Sequence, residues 1–488
     1  MATNEAYTAP EAGGKVKISV DPITRIEGHL KIEVTVENGK VVDAVSSGTM
    51  FRGFEQILIG RDPRDASQIT QRICGVCPTA HATASTRALD DAFGVKDKIT
   101  TNGRLARNLI FGSNYLQSHI LHFYHLAALD YVKGPETAFF IPRYAKPDLR
   151  LPDDVNKAAV DQYVRALTIR AQCHELVCMF GGKMPHVAGI VVGGATEIPT
   201  KEKLALYLAK FKDVEEFITK EYIPTVYLVG TVYKDLFACG AGWKNCVSYG
   251  VFPLDDKNDK FLLKPGAFID GKDVPLDTAE IKEYVKYSWY DPSCSNLHPS
   301  KGKTVIDLKK KGAYSFVKAP RYMGKPCEGG PLARMWVANP DLSPIGVKEL
   351  KDKYGITAKK FRDLGDLAWS IMGRHVARAE ETYIVMNAVK EWLKEIKPGM
   401  ETMVPAPVPA SGEGMGLTEA PRGALLHYIN IKDSKIANYQ AVPATIWNCS
   451  PRDDMDQMGP VEKCLIGVPV PDVKNPVNVG RLVRAFDP

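Results

Sequence analysis

The chain has few cysteines, no long apolar runs and no clustered charge, and each shortage removes a class of protein. Ten cysteines in 488 residues are too few for a disulfide scaffold. Eight stand singly or loosely (Cys173, Cys178, Cys239, Cys246, Cys294, Cys327, Cys449 and Cys464) and read mostly as small buried apolar residues. No segment reaches the ~18 uninterrupted apolar residues of a membrane helix. Residues 1–30 hold one short apolar stretch, 16–20, with charge inside it, which is no secretory h-region. Lys+Arg 63 against Asp+Glu 57 leaves a formal charge of +6. It is spread along the chain apart from Lys309, Lys310 and Lys311, so no basic stripe marks a nucleic-acid partner. There is no internal repeat. What remains is an ordinary folded composition, 45% hydrophobic and 25% charged.

Periodicity then sorts the chain. Residues 30–37 and 40–45 alternate apolar and polar around Asn38-Gly39, a hairpin signal. From Arg104 the period lengthens. Leu105, Leu109, Ile110, Leu116, Ile120, Leu121 and Tyr124 recur at three- and four-residue steps, as one buried helical face requires. Similar patterns predict helices over 155–180, 201–222 and 357–396, with Pro199-Thr200 as a start signal for the second. Residues 240–315, rich in Gly, Pro, Asp and Lys, predict loops and short strands. Residues 403–416, with Pro405, Pro407, Pro409 and then Gly412, Gly414, Gly416, read as a loop or linker. A second hairpin, 425–431 and 435–439, turns at Asp433-Ser434. The fold class is therefore α/β and mainly helical, a long-helix core with peripheral hairpins and sheets.

Cys74 and Cys77 form the chain's single CxxC pair, with Gly75 letting the backbone turn so that both sulfurs converge. By spacing alone this is half a zinc site, a redox dithiol, a softer metal site or two packed cysteines. His81 falls one helical turn after Cys77, within reach of sulfur, or is an ordinary core histidine. The stripe His119, His122 and His125 reads as core, not as a metal face.

The ordered segments around this pair resemble the large subunits of nickel–iron hydrogenases. They begin with Asp21-Pro22-Ile23-Thr24-Arg25-Ile26-Glu27-Gly28-His29 and Arg72-Ile73-Cys74-Gly75-Val76-Cys77. His119 to Tyr124, Phe180 to His186, Lys318 to Tyr322 and Gly330 to Arg334 follow. Gly373-Arg374-His375, Glu419 to Gly423 and Trp447-Asn448 complete the series. The resemblance implies one hydrogenase large-subunit domain over 1–488. Its parts would be an N-terminal β region at about 15–60, a helical core at about 100–225 and 355–400, a loop-rich insertion at about 240–315 and a C-terminal active-site region at 417–488.

By that resemblance the reaction is reversible, heterolytic oxidation of dihydrogen to protons and electrons. Its centre would be nickel held by four cysteines and iron carrying carbon monoxide and cyanide. Cys74 is then a terminal nickel ligand and Cys77 a nickel–iron bridge whose sulfur His81 hydrogen-bonds. Glu27 relays protons. Arg422 and Pro421 cover the diatomic ligands, and Thr445 faces a cyanide. Glu55 and the carbonyl of Ala441 belong to a magnesium or iron(II) site. Ser118 stands where many members carry Asp. The family's second ligand pair lies in a C-terminal Asp-Pro-Cys-x-x-Cys segment, whereas this chain ends at Asp487-Pro488. The expectation is a nickel–iron–selenium member whose sequence stops at a selenocysteine codon, with the remaining metal ligands beyond Pro488.

The other cysteines lack cluster spacing, so electrons would leave through an iron–sulfur small subunit to a carrier such as cytochrome c. Export with that subunit's twin-arginine signal implies the periplasm, with membrane attachment through a partner. A maturation protease and metal-insertion proteins are further implied partners. The alternatives are a hydrogen-sensing regulatory hydrogenase, a quinone-site subunit of complex I type, which lacks the paired cysteines, and a structural zinc protein.

Overall fold

In a computed structural model that describes residues 5–7, 14–135 and 148–488, the N-terminal alternation becomes an antiparallel sheet. Its strands run in order β1 (Glu5–Tyr7), β2 (Val16–Val20), β3 (Leu30–Glu37) and β4 (Lys40–Gly48). Leu30, Ile32, Val34 and Val36 turn inward. Asn38 and Gly39, at φ 52° and 72°, make the left-handed turn that joins β3 to β4.

The helical core comprises α1 (Pro78–Ala92), α2 (Thr101–Leu121), α3 (Asp153–Gly181), α4 (Lys201–Phe217) and α5 (Ile371–Glu395). Side-chain caps start three of them. Thr100 accepts from the Gly103 amide at 3.0 Å, Thr200 from Lys203 at 3.2 Å and Ser370 from Gly373 at 2.8 Å. One buried apolar cluster runs from Ile18 to Phe486. Among the described residues no helix is long and apolar enough to cross a membrane.

Two expectations are corrected. The helix expected over 357–396 is a 3₁₀ stretch, Phe361–Ala368, broken at Gly365, followed by α5 alone. Gly365 at φ 53° and the Ser370 cap interrupt what periodicity joins. Residues 411–416, expected as part of a loop, begin strand β5 (Ser411–Ala420), which pairs with β6 (Gly423–Lys432) and through it with β7 (Lys435–Val442). A Cβ on Gly412, Gly414 or Gly416 would strike the backbone of Ala92, Ala88 or Ala84 respectively. These glycines let a strand lie directly on a helix, and they mark no turn.

That contact places the site. Two strand residues advance about as far as one helical turn, so β5 runs antiparallel along α1 towards its N-terminus. The strand ends at Ala420 near the turn where α1 begins, and the Pro421-Arg422 segment emerges beside Cys77. The last helix, α6 (Val477–Phe486), brings Asp487 and Pro488 to the same place, where the Pro488 carbonyl accepts from the Glu27 amide at 3.0 Å.

Candidate metal centre

Cys74 follows a short 3₁₀ turn, and Cys77 is the residue that precedes the first turn of α1, with Pro78 inside that turn. Both thiols are free and buried, and their sulfurs lie 2.7 Å apart. The Cys77 amide also donates to Cys74 Sγ at 3.0 Å. Burial pushes the Cys74 thiol up, but the hydrogen bond from Cys77 and the charge of Arg422 prevail and hold it below its usual range. Cys77, as the donor of that bond and itself buried, is held well above. Of the two thiols, Cys74 is therefore the one that gives up its proton more readily. Two converging soft donors at a helix N-terminus suit a thiophilic metal.

Arg422 covers the pair. Its Nη1 donates to Ser118 Oγ at 3.4 Å, and Nη2 stands 2.8 Å from Asp487 Oδ1. The angles of that ion pair miss hydrogen-bond geometry, so Nε, Nη2 and both Asp487 oxygens keep unused capacity inside the protein. Burial lowers the Arg422 guanidinium, but Asp487 and the two cysteines raise it further, so it stays charged. The turn carrying Arg422 is pinned from beneath. Asn448 Nδ2 donates to the Gly329 carbonyl at 3.1 Å and to that of Arg422 at 3.4 Å. Gly423 and Gly330, at φ 137° and 117°, pass so closely that a Cβ on Gly423 would meet the Gly330 nitrogen at 2.6 Å.

The other expected residues divide. Glu27 is half-buried beside the pair, and its Oε1 accepts from the Gly75 amide at 3.0 Å. His81 is buried on α1. Its Nδ1 lies 3.1 Å from His427 Nε2, and His427 Nδ1 lies 2.6 Å from the Tyr439 hydroxyl, which bonds Ser85. Burial and the charge of Arg52 push His81 down to about 3, so it is neutral. Pro421 is buried, and Thr445 is half-buried at the start of helix Ala444–Asn448, its side chain making no hydrogen bond among the described residues.

Glu55 lies apart from the cysteines. Its Oε1 accepts from the Ala441 amide at 3.0 Å, its Oε2 bonds Thr304, and Gln440 and the Lys318–Glu283 pair adjoin it. The expected core histidines are partnered by protein. His119 meets Glu381 at 2.9 Å, His122 the Arg484 carbonyl at 2.5 Å and His125 the Tyr163 carbonyl at 3.2 Å. Among the described residues no group of three or more His, Cys, Asp or Glu is placed to hold a metal, so this chain offers two sulfur donors at the centre.

Sequence reasoning missed Arg334 and Asp487 as site residues. Arg334 is fully buried and donates to Glu419 Oε2 and Glu381, and to the Ala420 and Pro421 carbonyls at 2.8 and 2.9 Å. An arginine inside an otherwise apolar stretch, Gly330 to Val337, was the available signal.

A family profile described as "Nickel-dependent hydrogenase" matches residues 52–136 and 132–488, and one described as "HoxL-like" matches 17–47. The periplasmic [NiFeSe] hydrogenase large subunit of Desulfomicrobium baculatum is 65% identical, over 98% of this chain and 95% of that protein. The hydrogenase-2 large chain of Escherichia coli K12 is 35% identical, over 97% and 96% respectively. The reduced Ni-Fe-Se hydrogenase of D. vulgaris Hildenborough superposes with a TM-score of 0.96 at 64% identity, covering 97% of this chain and 98% of that one. With the paired cysteines, their covering arginine and this agreement over nearly the whole length, the chain belongs to the nickel-dependent hydrogenases, as a large-subunit member of that family.

Proposed function

We propose that Cys74 and Cys77 would together hold the nickel–iron centre, as sulfur ligands of a member of the family's selenium branch. One observation carries this reading: Glu27, the cysteine pair and Asp487-Pro488, distant in sequence, meet at one point. The two relatives named above from Desulfomicrobium and D. vulgaris carry selenium in their names, which supports the selenium reading.

The protein is an oxidoreductase acting on dihydrogen. When bound, the metals supply the Lewis acidity and redox capacity for heterolytic cleavage. The chain's own residues do the rest. Arg422 has unused N–H donors that would face the carbon monoxide and cyanide ligands of a bound iron, and it stays charged. Pro421 would wall that pocket, Thr445 would offer a hydroxyl to a second cyanide, and His81, 3.1 Å from His427, would hydrogen-bond the Cys77 sulfur one helical turn before it. Glu27, held by the Gly75 amide, accepts the proton released at the cysteine pair and passes it outward. Glu55 and the Ala441 carbonyl would supply oxygen ligands to a magnesium or iron(II) ion, with Thr304 and Gln440 nearby.

A large subunit works with a small-subunit partner. We assign that partner the iron–sulfur clusters and the twin-arginine signal, and the complex a periplasmic address, a cytochrome c-like acceptor, membrane attachment through a partner and dedicated maturation proteins. We read residues 1–488 as one domain, supported by the continuous apolar cluster from Ile18 to Phe486. Elemental analysis of the purified complex tests the centre. Nickel in the native protein and its loss in both Cys74→Ser and Cys77→Ser are expected; nickel retained in both variants overturns the assignment.

A further inference from the structure

On the side of α1 away from its N-terminus, a cavity of about 420 Å³ opens between α1, α2, the 249–265 segment and β5. Ligand pockets for small molecules begin at about this size. Its walls include Phe111, Phe252, Phe261, Met415 and Leu417, and Arg87 projects from α1 into the same space. Arg87 is enclosed by protein, yet only half-buried, because the surface it keeps faces the cavity.

The charge accounting singles out this arginine. Asp90, the carboxylate one turn further along α1, is already committed: its oxygens bind Arg107 at 2.7 and 3.3 Å and the Gly193 amide at 2.9 Å. Asp256 binds Arg104 at 2.9 Å and Thr101 at 2.6 Å. Arg107 also donates to the Gly194 and Val191 carbonyls. Among the described residues Arg87 has no hydrogen bond or ion pair. It has only the face of Phe261, with its guanidinium carbon 5.6 Å from the ring centre. Burial, with Arg107 nearby, pulls its guanidinium down to about 10 against the opposing pull of Asp90, so it remains charged at neutral pH. Lys96 and Lys257 also border the cavity, and Asp259 on the loop is the only lining carboxylate not already bonded to an arginine. The field is net positive, and the fork of donors faces a space whose other walls are aromatic and aliphatic.

We propose that this cavity is a binding site for a small organic carboxylate with an apolar body, the carboxylate paired to the Arg87 guanidinium and the body packed among Phe111, Phe252, Phe261, Met415 and Leu417. A planar fork of N–H donors matches a carboxylate two bonds at a time, and the aromatic walls supply the contact area for the remainder.

The site is separate from the cysteine pair, so its test is independent of the metal assignment. The purified native complex is titrated calorimetrically with 4-bromobenzoate and with the neutral isostere 4-bromobenzamide, and the bromine is located by anomalous scattering in soaked crystals. Expected are bromine density in this cavity, binding of the amide weaker by at least about tenfold, and a similar loss for the carboxylate in Arg87→Met. Dye-linked hydrogen oxidation should be unchanged in that variant, which shows that it folds. No binding by the native complex, bromine elsewhere, equal affinity for acid and amide, or undiminished binding by Arg87→Met would each overturn the proposal.

Discussion

Arg334 Nη2 donates to the carbonyl of Pro421 at 2.9 Å, from a side chain with no solvent exposure. The same guanidinium bonds the Ala420 carbonyl, Glu419 and Glu381. It is the post on which the Arg422 turn rests. Burial pushes Glu381 up, but Arg334 and His119 more than offset this and hold it at about 2. Arg334→Met would therefore leave the buried Glu381 carboxylate without its cation, with only His119 beside it, at a cost of about 3–5 kcal/mol. Arg334→Lys keeps the charge but loses the fork, and should recover only part of that. Denaturant midpoints of the three proteins check the order native, Lys, Met.

Much of this was legible in advance, and the failures share a cause. The Asn38-Gly39 hairpin, the Thr200 cap and the Cys74–Cys77 pair are local signals, each written within a few residues. Gly412, Gly414 and Gly416 misread as turn residues because their reason lies in Ala84, Ala88 and Ala92, more than three hundred positions away. Arg334 was passed over as a site residue for the same reason: its partners Glu381, Glu419 and Pro421 come from other elements. Periodicity joined 357–396 because it records which residues are buried and is silent about a single backbone break at Gly365. The proposed metal-binding residues rest on ordered motifs, not on spacing, which left the cysteine pair open among four chemistries.

The strand glycines give a direct test of close packing. Gly414→Ala places a methyl group against the Ala88 carbonyl and 2.6 Å from the Ala92 nitrogen, both backbone atoms that no rotamer change can move. Overpacking of this kind costs about 1–3 kcal/mol or more. The substitution should lower the thermal midpoint, and it should also reduce nickel content, because β5 and α1 then separate where they jointly place Arg422 over Cys77. Unchanged stability would show that the sheet slides on the helix without penalty.

Glu380 makes stability depend on pH without the help of a cation. Its oxygens accept from the Ser343 amide at 2.6 Å, the Tyr227 hydroxyl at 2.8 Å and the Ser343 hydroxyl at 3.0 Å. Burial pushes its carboxyl up to about 7, and those hydrogen bonds only partly oppose it. The folded state therefore holds a proton that the unfolded chain has released above about pH 4.5. Between there and pH 7 the unfolded chain binds fewer protons, so stability falls as pH rises, by up to about 3 kcal/mol from this group. Glu380→Gln should flatten unfolding free energy over that window; an unaltered slope would assign the dependence to other groups.

Glu27 is the residue whose substitution separates proton transfer from metal binding. Its Oε1 accepts from the Gly75 amide, a bond that the amide oxygen of glutamine also makes, so Glu27→Gln should keep the loop between Cys74 and Cys77 in place and retain nickel. Glutamine has no proton to take up or release at neutral pH. A positioned acid–base group contributes about 10²–10⁴-fold, and hydrogen oxidation measured with a viologen dye should fall by that factor at unchanged metal content. Glu27→Asp keeps the carboxyl but shortens its reach from β3's approach loop, and should land between the two. Activity of Glu27→Gln within about tenfold of the native enzyme, with full nickel, would move the proton route away from Glu27 and leave that residue the smaller task of holding Gly75.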